Sequence, residues 1–451
     1  MRVLLDETTA EGLSQLIYAG VHADYVYMYP PRQAYRPFEP DISGSFGELV
    51  ERSLARFDGL NLYVHVPFCR QICSFCNLYT TNDLRRDLQG YVDTVLMEAA
   101  HYATLTDKKQ IRTVYLGGGT PSILTPAQIE QLITTLLDLF SSTPNHIPPE
   151  TALEVDPSTV DAGKLRELRS AGINRINLGY QSMVEREVIH IGRRRGDAAG
   201  FQLLEEALTV GFANVCVDLI YGLQHQTDDN WCASVRQVAD AGPQTICAYA
   251  LTLRPYTGYQ RRGYGQIDGR VLYRRFDMAD QILRDAGYRR ETHVRWVKDG
   301  GGYLQKVNHW GMQNILGFGA GARSYLWEID YRNSYSVRER NGVLDQYANA
   351  VDAGKWPATD GFFMSDEERM RKAAALNIQS LDRQWFFQLF GVDPLVVFER
   401  EIATLTSLGM CHIDDNLVTL TDIGTRYRDL IAQGFFSTEV RRRLRKFDYN
   451  E

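Results

Sequence analysis

Six short runs of apolar, β-branched and aromatic residues recur along the first 253 residues, and segments with helical periodicity separate them. The runs lie at 60–68, 111–117, 151–156, 174–180, 214–221 and 245–253. The intervening segments predict helices near 84–105, 126–140, 160–171, 198–210 and 229–241. Several runs are apolar on both faces, as parallel strands covered by helices must be. The alternation predicts an α/β fold built on a partial (β/α)6 barrel of the TIM type.

The segments on either side of this alternation have a different character. Residues 1–58 are irregular and include "YVYMYPPRQAYRPFEP", which favours an extended N-terminal arm. The barrel and its extension are predicted at 59–355, and a small, mostly helical C-terminal domain at 356–451. That domain ends in a short strand-like pair, Gly424 and a helix, a winged-helix-like pattern. The basic run at 440–447 is interpreted as a solvated helix face.

Charge and hydropathy narrow the possible partners. The chain has 49 basic and 56 acidic residues, a net charge of -7, which gives no general attraction to nucleic acid or to anionic membranes. It lacks the long apolar run of a signal peptide and any run of about 18 apolar residues. We therefore expect a cytoplasmic monomer with neither a nucleic-acid nor a membrane partner.

Three of the seven cysteines fall within eight residues, in "YVHVPFCRQICSFC". In a reducing compartment, clustered cysteines favour metal binding over disulfides. Cys69, Cys73 and Cys76 could form a buried helix face, a zinc site completed by His65, or a [4Fe-4S] site with one open iron. Pro67 and the preceding strand favour a loop over a helix face, which leaves the zinc site and the [4Fe-4S] site open. The scattered cysteines are interpreted as buried small residues: Cys216, Cys232, Cys247 and Cys411.

Distinctive polar motifs stand where the predicted strands end. "GGGTPS" follows the second strand, "EVDP" ends the third, "GYQS" the fourth and "DLIYGL" the fifth, while the cysteines follow the first. The carboxyl ends of barrel strands meet at one mouth, where chemistry is carried out. Glycines there let backbone approach a ligand closely, and the charged side chains offer complementary hydrogen bonds.

The C-x3-C-x2-C spacing, together with "GGGTP", resembles the signature of the radical SAM superfamily. "YLGGGTPS", "LEVDPSTV", "INLGYQSM" and "VCVDLIYGLQHQT" resemble its HemN-like branch, which includes oxygen-independent coproporphyrinogen III oxidase. The resemblance implies that Cys69, Cys73 and Cys76 hold a [4Fe-4S] cluster whose open iron binds S-adenosyl-L-methionine (SAM). The SAM contacts that it implies are Tyr63, Phe75, Gly118, Gly119, Thr120, Glu154, Gln181, Arg193 and Asp218.

The same branch implies a second SAM molecule beside the first. Its enclosing segment corresponds to "QKVNHWGMQNILGFG", which contains His309 and Trp310. An indole face near a sulfonium is a reasonable cation–π contact. Trp310 could equally be a core residue.

The chain differs from the porphyrinogen oxidase pattern at two places, and these differences determine which reaction is expected. Asn77 and Leu78 follow the last cysteine where that enzyme has a further cysteine, and the segment around Asn308 is shorter. What remains resembles the class C radical SAM methyltransferases and cyclopropane-forming enzymes. The resemblance implies transfer of a methyl-derived carbon to an sp2 carbon of an aromatic or heteroaromatic natural-product substrate. The candidate acids and bases are Tyr63, Glu291, His293 and His309.

Two alternatives stay open at the level of sequence. Porphyrinogen decarboxylation would need arginines for the propionates, and Arg32, Arg36, Arg193 and Arg323 are available. A haem or cluster carrier is the non-enzymatic alternative. The expected partners are a small-molecule substrate, a reductant such as flavodoxin or ferredoxin, and a partner methyltransferase.

Overall fold

A computed structural model describes residues 9–39, 43–193, 197–265, 267–338, 340 and 342–447. Its strands β1 to β16 are Arg36–Pro37, Gly59–Val66, Gln110–Gly118, Glu150–Val155, Arg175–Gln181, Asn214–Tyr221, Thr245–Ala250, Arg289–Thr292, Arg295–Val297, Ile315–Phe318, Arg323–Tyr325, Ile329–Asn333, Ala358–Phe363, Ser380–Asp382, Cys411–Ile413 and Leu417–Leu420. Its helices α1 to α19 are Ala10–Tyr18, Ser43–Ala55, Leu88–Ala103, Pro126–Phe140, Ala162–Ser170, Glu185–His190, Asp197–Thr209, Asp228–Ala241, Gly258–Arg261, Gly269–Asp285, Leu304–Trp310, Val343–Asp352, Asp366–Asn377, Arg383–Phe390, Pro394–Val397, Glu399–Ser407, Asp422–Arg426, Arg428–Gly434 and Thr438–Lys446.

The predicted α/β barrel is confirmed. Strands β2 to β7 are parallel neighbours in chain order, and they correspond to the six predicted runs. A seventh parallel strand, β10, pairs with the outer side of β2. In the register of β2 and β3, Val66 lies opposite Gly118. The loop after β2, which carries the cysteines, is therefore adjacent to the glycine run that ends β3.

Helix ends agree closely with the sequence periodicity. Helix α4 begins at Pro126 and ends at Phe140, the bounds that the sequence predicts. Thr125 and Gln128 form a reciprocal capping box at its start, and Pro126 occupies the first helical position, where its missing N–H costs nothing. Local signals of this kind explain why the helix boundaries could be predicted.

Antiparallel strands extend the sheet at both edges. Beyond β10 come β11, β12, β13 and β1, and beyond β7 come β9 and β8, which gives a 13-stranded sheet within the described residues. Most of these added strands have only two to five residues. A separate sheet with the order β14-β16-β15 lies in the C-terminal region, where the predicted strand pair is confirmed and gains a third strand.

Two large hydrophobic cores organise the described part of the chain, and a small third cluster includes Ile220 and Tyr259. The larger core lies between the barrel strands and their helices. The second core packs the N-terminal arm, including Tyr29 and Tyr35, against C-terminal aromatic residues such as Phe435. The fully buried Arg428 also donates to the carbonyl of Val26 over 2.6 Å. The first part of the arm thus lies on the C-terminal region, whereas Phe46, Val50 and Leu54 of helix α2 pack in the larger core, so this part of the arm is not extended as predicted. The domain boundaries at 58 and 355 stay predictions.

Helix α19 corrects one detail of the sequence interpretation. Arg441 is buried and donates to the carbonyl of Gly434 over 2.7 Å, and Arg443 donates to the carbonyl of Ala34 over 3.0 Å. The basic run is therefore partly structural rather than a wholly solvated face. Among the described residues, no helix combines the length and apolar character needed to cross a membrane.

Candidate functional site

The three clustered cysteines lie on a loop after β2. No helix covers residues 67–87, so a cysteine stripe on one helix face is excluded. His65 uses both ring nitrogens, Nδ1 with the Tyr63 hydroxyl and Nε2 with the Tyr79 carbonyl, each at 3.0 Å. The zinc interpretation therefore loses its fourth ligand. The loop itself is fixed by a backbone hydrogen bond from Cys69 to the carbonyl of Thr81 at 2.8 Å.

The cysteine sulfurs are surrounded as iron–sulfur ligands require. All three are free thiols. The Thr120 hydroxyl donates to Cys69 Sγ over 3.3 Å, and Arg193 Nε donates to Cys73 Sγ over 3.2 Å. Burial raises the pKa of Cys69 to about 12, which a bound cation would reverse. Free thiols on one loop, with donors directed at sulfur, fit the ligand set of a [4Fe-4S] cluster.

The glycine run after β3 packs against this loop. A Cβ on Gly118, whose φ is +114°, would lie 2.7 Å from the His65 ring. A Cβ on Gly119 would lie 2.7 Å from the Pro67 carbonyl carbon. From the sequence, these glycines are expected to let the backbone approach a ligand closely. The structure adds a second reason for glycine. Gly118 packs closely against His65 and Gly119 against Pro67, the residues that lead into the cysteine loop.

Glu154 and Asp218, the two carboxylate side chains predicted to contact SAM, line the interior of the barrel. Glu154 accepts from the Gly118 N–H at 3.0 Å and from the Tyr115 hydroxyl at 2.9 Å, and burial raises its pKa to about 7. Burial, and then the neighbouring Cys247, raise the pKa of Asp218 well above its usual value. Both carboxyls therefore lack a cationic partner strong enough to offset burial. An ammonium or hydroxyl group of a ligand would stabilise them.

The side chains of Gln181 and Arg193 both lie next to Gly179, beside the cysteine loop. Gln181 adopts a φ of +70° at the end of β5. Arg193 donates to the carbonyl of Gly179 and pairs with Asp156 at 3.7 Å. A Cβ on Gly179 would lie 2.9 Å from Gln181 Nε2 and 3.6 Å from the Arg193 guanidinium. These contacts fix Arg193 against Cys73.

Two cavities adjoin the cysteine loop and share a wall. The larger, about 460 Å³, is lined by Phe75, Cys76 and Asp218 on one side. The smaller, about 230 Å³, is lined by Tyr63, His65 and His309. The wall common to both includes Tyr27, Glu154, Lys306 and Arg323. The predicted cluster site thus opens onto a divided cavity.

The two residues proposed for a second SAM have different surroundings. His309 lines the smaller cavity, and its ring stacks on Tyr325 at a centroid distance of 4.3 Å. Within the described part of the chain, its buried Nε2 has no hydrogen-bond partner. Trp310 lines neither cavity; it packs in the second core, and its indole N–H donates to the carbonyl of Tyr27 over 3.2 Å. Only His309 is placed to contact a ligand.

Two of the four acid–base candidates line a cavity beside the cluster loop, and two do not. Tyr63 and His309 line the smaller cavity. Glu291 is ion-paired with Arg295, and His293 Nε2 lies 3.0 Å from the Asp429 carboxylate. Neither Glu291 nor His293 lines the two cavities beside the cluster loop.

Sequence reasoning missed Lys306, which lines both cavities. It lies in helix α11, three residues before His309. This spacing puts the two side chains on one helix face, so it was the signal that could have identified Lys306.

Asp218→Ala is expected to reduce SAM cleavage by roughly 10- to 100-fold, because the carboxyl group predicted to hydrogen-bond SAM is lost. Iron content should not change, since Asp218 contacts none of the three cysteines on the cluster loop. The measurement compares the 5′-deoxyadenosine formation rate with iron per chain. Asp240→Ala, at an exposed position in α8, is the matched control. Loss of iron in the Asp218 variant would show that Asp218 is structural instead.

The barrel and the three-cysteine loop define the class, a radical SAM protein whose cofactors are a [4Fe-4S] cluster and SAM. Residues 63–238 match the model of the Radical SAM superfamily. That range contains the cysteines, the glycine run, Glu154 and Asp218.

Individual relatives give the family. The chain is 26% identical over 415 residues to the oxygen-independent coproporphyrinogen III oxidase of Escherichia coli, covering 87% of this chain and 90% of the relative. It is 30% identical over 287 residues to the heme chaperone HemW of Mycobacterium tuberculosis, covering 61% and 73%. The solved structure of the E. coli coproporphyrinogen III oxidase (HemN), a radical SAM enzyme, superposes with a TM-score of 0.77 at 23% identity over 92% and 99%. The chain belongs to the HemN/HemW family of the radical SAM superfamily.

These relatives overturn the reaction expected from the sequence. The expectation of methyl transfer or cyclopropane formation on a natural product is wrong, and the comparisons give no support to a closer resemblance to class C methyltransferases. The relatives that match are a coproporphyrinogen oxidase and haem chaperones, and the oxidase fold spans 92% of the chain. Membership in the HemN-like branch and the cluster and SAM cofactors are confirmed.

Proposed function

We propose that the protein is a radical SAM enzyme that removes a hydrogen atom from a tetrapyrrole carrying propionate side chains. The observation that carries the proposal is the larger cavity. It reaches Phe75 and Cys76 at the cluster loop, and its lining also includes several basic side chains and tyrosine rings. Aromatic surface suits a macrocycle, and basic groups suit its carboxylates.

The chain's own residues would prepare the site in separate ways. When bound, the cluster and SAM supply a primary carbon radical that takes a hydrogen atom from the substrate. Cys69, Cys73 and Cys76 would hold the cluster, and Glu154 and Asp218 would orient SAM through its ammonium and hydroxyl groups. Buried aromatic residues around the cavity would exclude water from the radical.

Oxidative decarboxylation of a porphyrinogen is the reaction that the relatives favour. The similarity to the E. coli oxidase extends over 87% of this chain and 90% of that enzyme, and the similarity to the HemW of Lactococcus lactis extends over 84% and 97%. The second candidate function, haem carriage, is supported by the 30% identity to the mycobacterial HemW. Both functions require a bound tetrapyrrole.

Anaerobic protein with reconstituted cluster, SAM and dithionite tests the proposal, with coproporphyrinogen III and haem as separate probes. We expect one probe to be converted with stoichiometric 5′-deoxyadenosine, and deuterium on its side chains to enter that product. Coproporphyrinogen III should lose CO2 if the reaction is decarboxylation, with a vinyl group replacing each reacted propionate and the remaining electron passing to a one-electron acceptor added to the assay. Haem that binds and is released unchanged would favour the carrier. Deuterium transferred instead from the methyl group of SAM would contradict hydrogen removal from the tetrapyrrole.

The remaining partners follow from the same chemistry. A radical SAM enzyme needs a one-electron reductant, and we propose a flavodoxin or ferredoxin. A cytoplasmic location and a monomeric state stay predictions from the sequence.

A further inference from the structure

Two basic side chains, Lys306 and Arg323, flank Tyr27 in the wall between the two cavities, and a third, Arg32, lines the larger cavity. Arg323 Nη1 donates to the Tyr27 hydroxyl over 2.8 Å. Lys306 Nζ lies 5.0 Å from the centroid of the Tyr27 ring and makes a long contact of 3.4 Å with the Tyr27 carbonyl. Arg32 donates to the Tyr335 hydroxyl over 2.6 Å and to the carbonyl of Asn77, next to the cluster ligand Cys76, over 3.3 Å. Their hydrogen-bond partners are thus neutral groups.

Other cations of the same cavity are paired. Arg254 lies 2.6 Å from the Asp24 carboxylate, and Arg295 is ion-paired with Glu291. Across the described ranges, Arg32, Lys306 and Arg323 have no carboxylate within 4.0 Å. At this place the cavity therefore has three partly buried basic groups without a carboxylate partner.

The ionisable groups at this place respond to the neighbouring basic groups. Burial, and then the charges of Arg295, Arg428 and Arg323, lower the pKa of Lys306 to about 7. Burial alone would raise the pKa of Tyr27, but Arg323 and Arg32 outweigh it, and the pKa is lowered. A buried cation without a counter-charge is costly, and an anionic ligand would relieve that cost.

We propose that a carboxylate of the substrate binds between Arg32, Lys306 and Arg323 beside Tyr27. The two guanidinium groups offer fork-shaped pairs of donors that match a carboxylate, and Lys306 adds a point charge. The identity of that carboxylate as a propionate rests on the proposed function. Because Arg32 also contacts the residue after Cys76, a carboxylate held here would fix one edge of the substrate close to the cluster loop.

The amino-acid part of SAM is another source of a carboxylate. SAM also carries a sulfonium and an ammonium, so its net charge is positive, and two arginines and a lysine without carboxylate partners would disfavour its binding here. A tetrapyrrole propionate brings negative charge only. The electrostatics therefore favour the substrate.

Equilibrium dialysis of the anaerobic, cluster-loaded protein tests this assignment, with coproporphyrin III as the probe. Arg323→Met and Lys306→Met should each weaken binding by roughly 10- to 100-fold, the usual effect of removing a charge-assisted hydrogen bond. Lys298→Met is the control, because Lys298 packs on Tyr288 and lines neither cavity. Its affinity for the probe should be unchanged. Arg323→Lys should recover part of the loss, since it retains the charge.

The outcomes separate the two proposals. If the wild-type protein does not bind coproporphyrin III, the proposed function fails. If it binds and both variants bind equally well, the carboxylate site alone is overturned. Weaker SAM binding with unchanged porphyrin binding would assign the site to SAM and also overturn it. Circular dichroism and iron content check each variant, and if Arg323→Met does not fold, the Arg32→Met variant decides with the same expected loss.

Discussion

Cys73→Ala is expected to abolish the iron–sulfur cluster and, with it, reductive SAM cleavage, while the fold is retained. Cys73 lies on the loop after β2, outside the two hydrophobic cores, so its thiol contributes little to packing. Loss of one of three ligands should reduce SAM cleavage by more than roughly 100-fold, because even outer-shell partners of metal ligands typically matter by 10- to 100-fold. Cys69→Ala and Cys76→Ala should behave alike.

Iron and sulfide analysis after anaerobic reconstitution measures this effect, and circular dichroism monitors the fold. The wild type should bind about four irons per chain. Cys232→Ala is the matched control, because Cys232 is a free and partly buried cysteine on helix α8, away from the loop. A Cys73 variant that keeps its four irons, or a Cys232 variant that loses them, would refute the ligand assignment.

The central barrel could be predicted because its signals are local. Parallel strands covered on both sides must be apolar along their length, and the predicted runs match β2 to β7 closely. The edge strands β11 to β13 could not be predicted in this way. They are short, and their pairing depends on segments far apart in the chain, as when β1 joins β13.

The candidate site also has residues that local sequence signals identify and residues that only the tertiary structure identifies. The cysteines and the glycine run form short motifs whose spacing alone indicates their chemistry. Lys306 and Arg323 become significant only when the arm brings Tyr27 between them. Glu291 and His293 are the opposite case, because the sequence alone makes them acid–base candidates. In the structure Glu291 pairs with Arg295 and His293 with Asp429.

The reaction predicted from the sequence is wrong because that prediction depends mainly on one local difference from the porphyrinogen oxidase pattern, the absence of a further cysteine after Cys76. Asn77 and Leu78, which replace an expected cysteine motif, line the larger cavity. Side chains that line a ligand cavity can differ while the fold and the cofactors are retained, so such a difference does not define the reaction. The similarity to the oxidase over 87% of the chain is a broader constraint.

Gly119→Ala should have the second largest effect, a loss of both cluster content and stability. The added Cβ would lie 2.7 Å from the Pro67 carbonyl carbon and 2.9 Å from the Phe68 oxygen, and these backbone atoms cannot move aside as a flexible side chain could. Such overpacking typically costs about 1–3 kcal/mol. The displaced segment carries Cys69, so the geometry of the cluster ligands is disturbed as well.

Thermal unfolding and iron content of the Gly119 variant test this expectation together. Gly47→Ala is the control, because a Cβ at this position in helix α2 would meet only the Trp356 side chain, at an ordinary 3.5 Å. Alanine is favoured over glycine in a helix by about 1 kcal/mol, so the control should be at least as stable as the wild type. A Gly119 variant with wild-type melting and four irons would mean that the cysteine loop can shift without losing its ligand geometry. The close packing of β3 against that loop would then not be what positions the cluster.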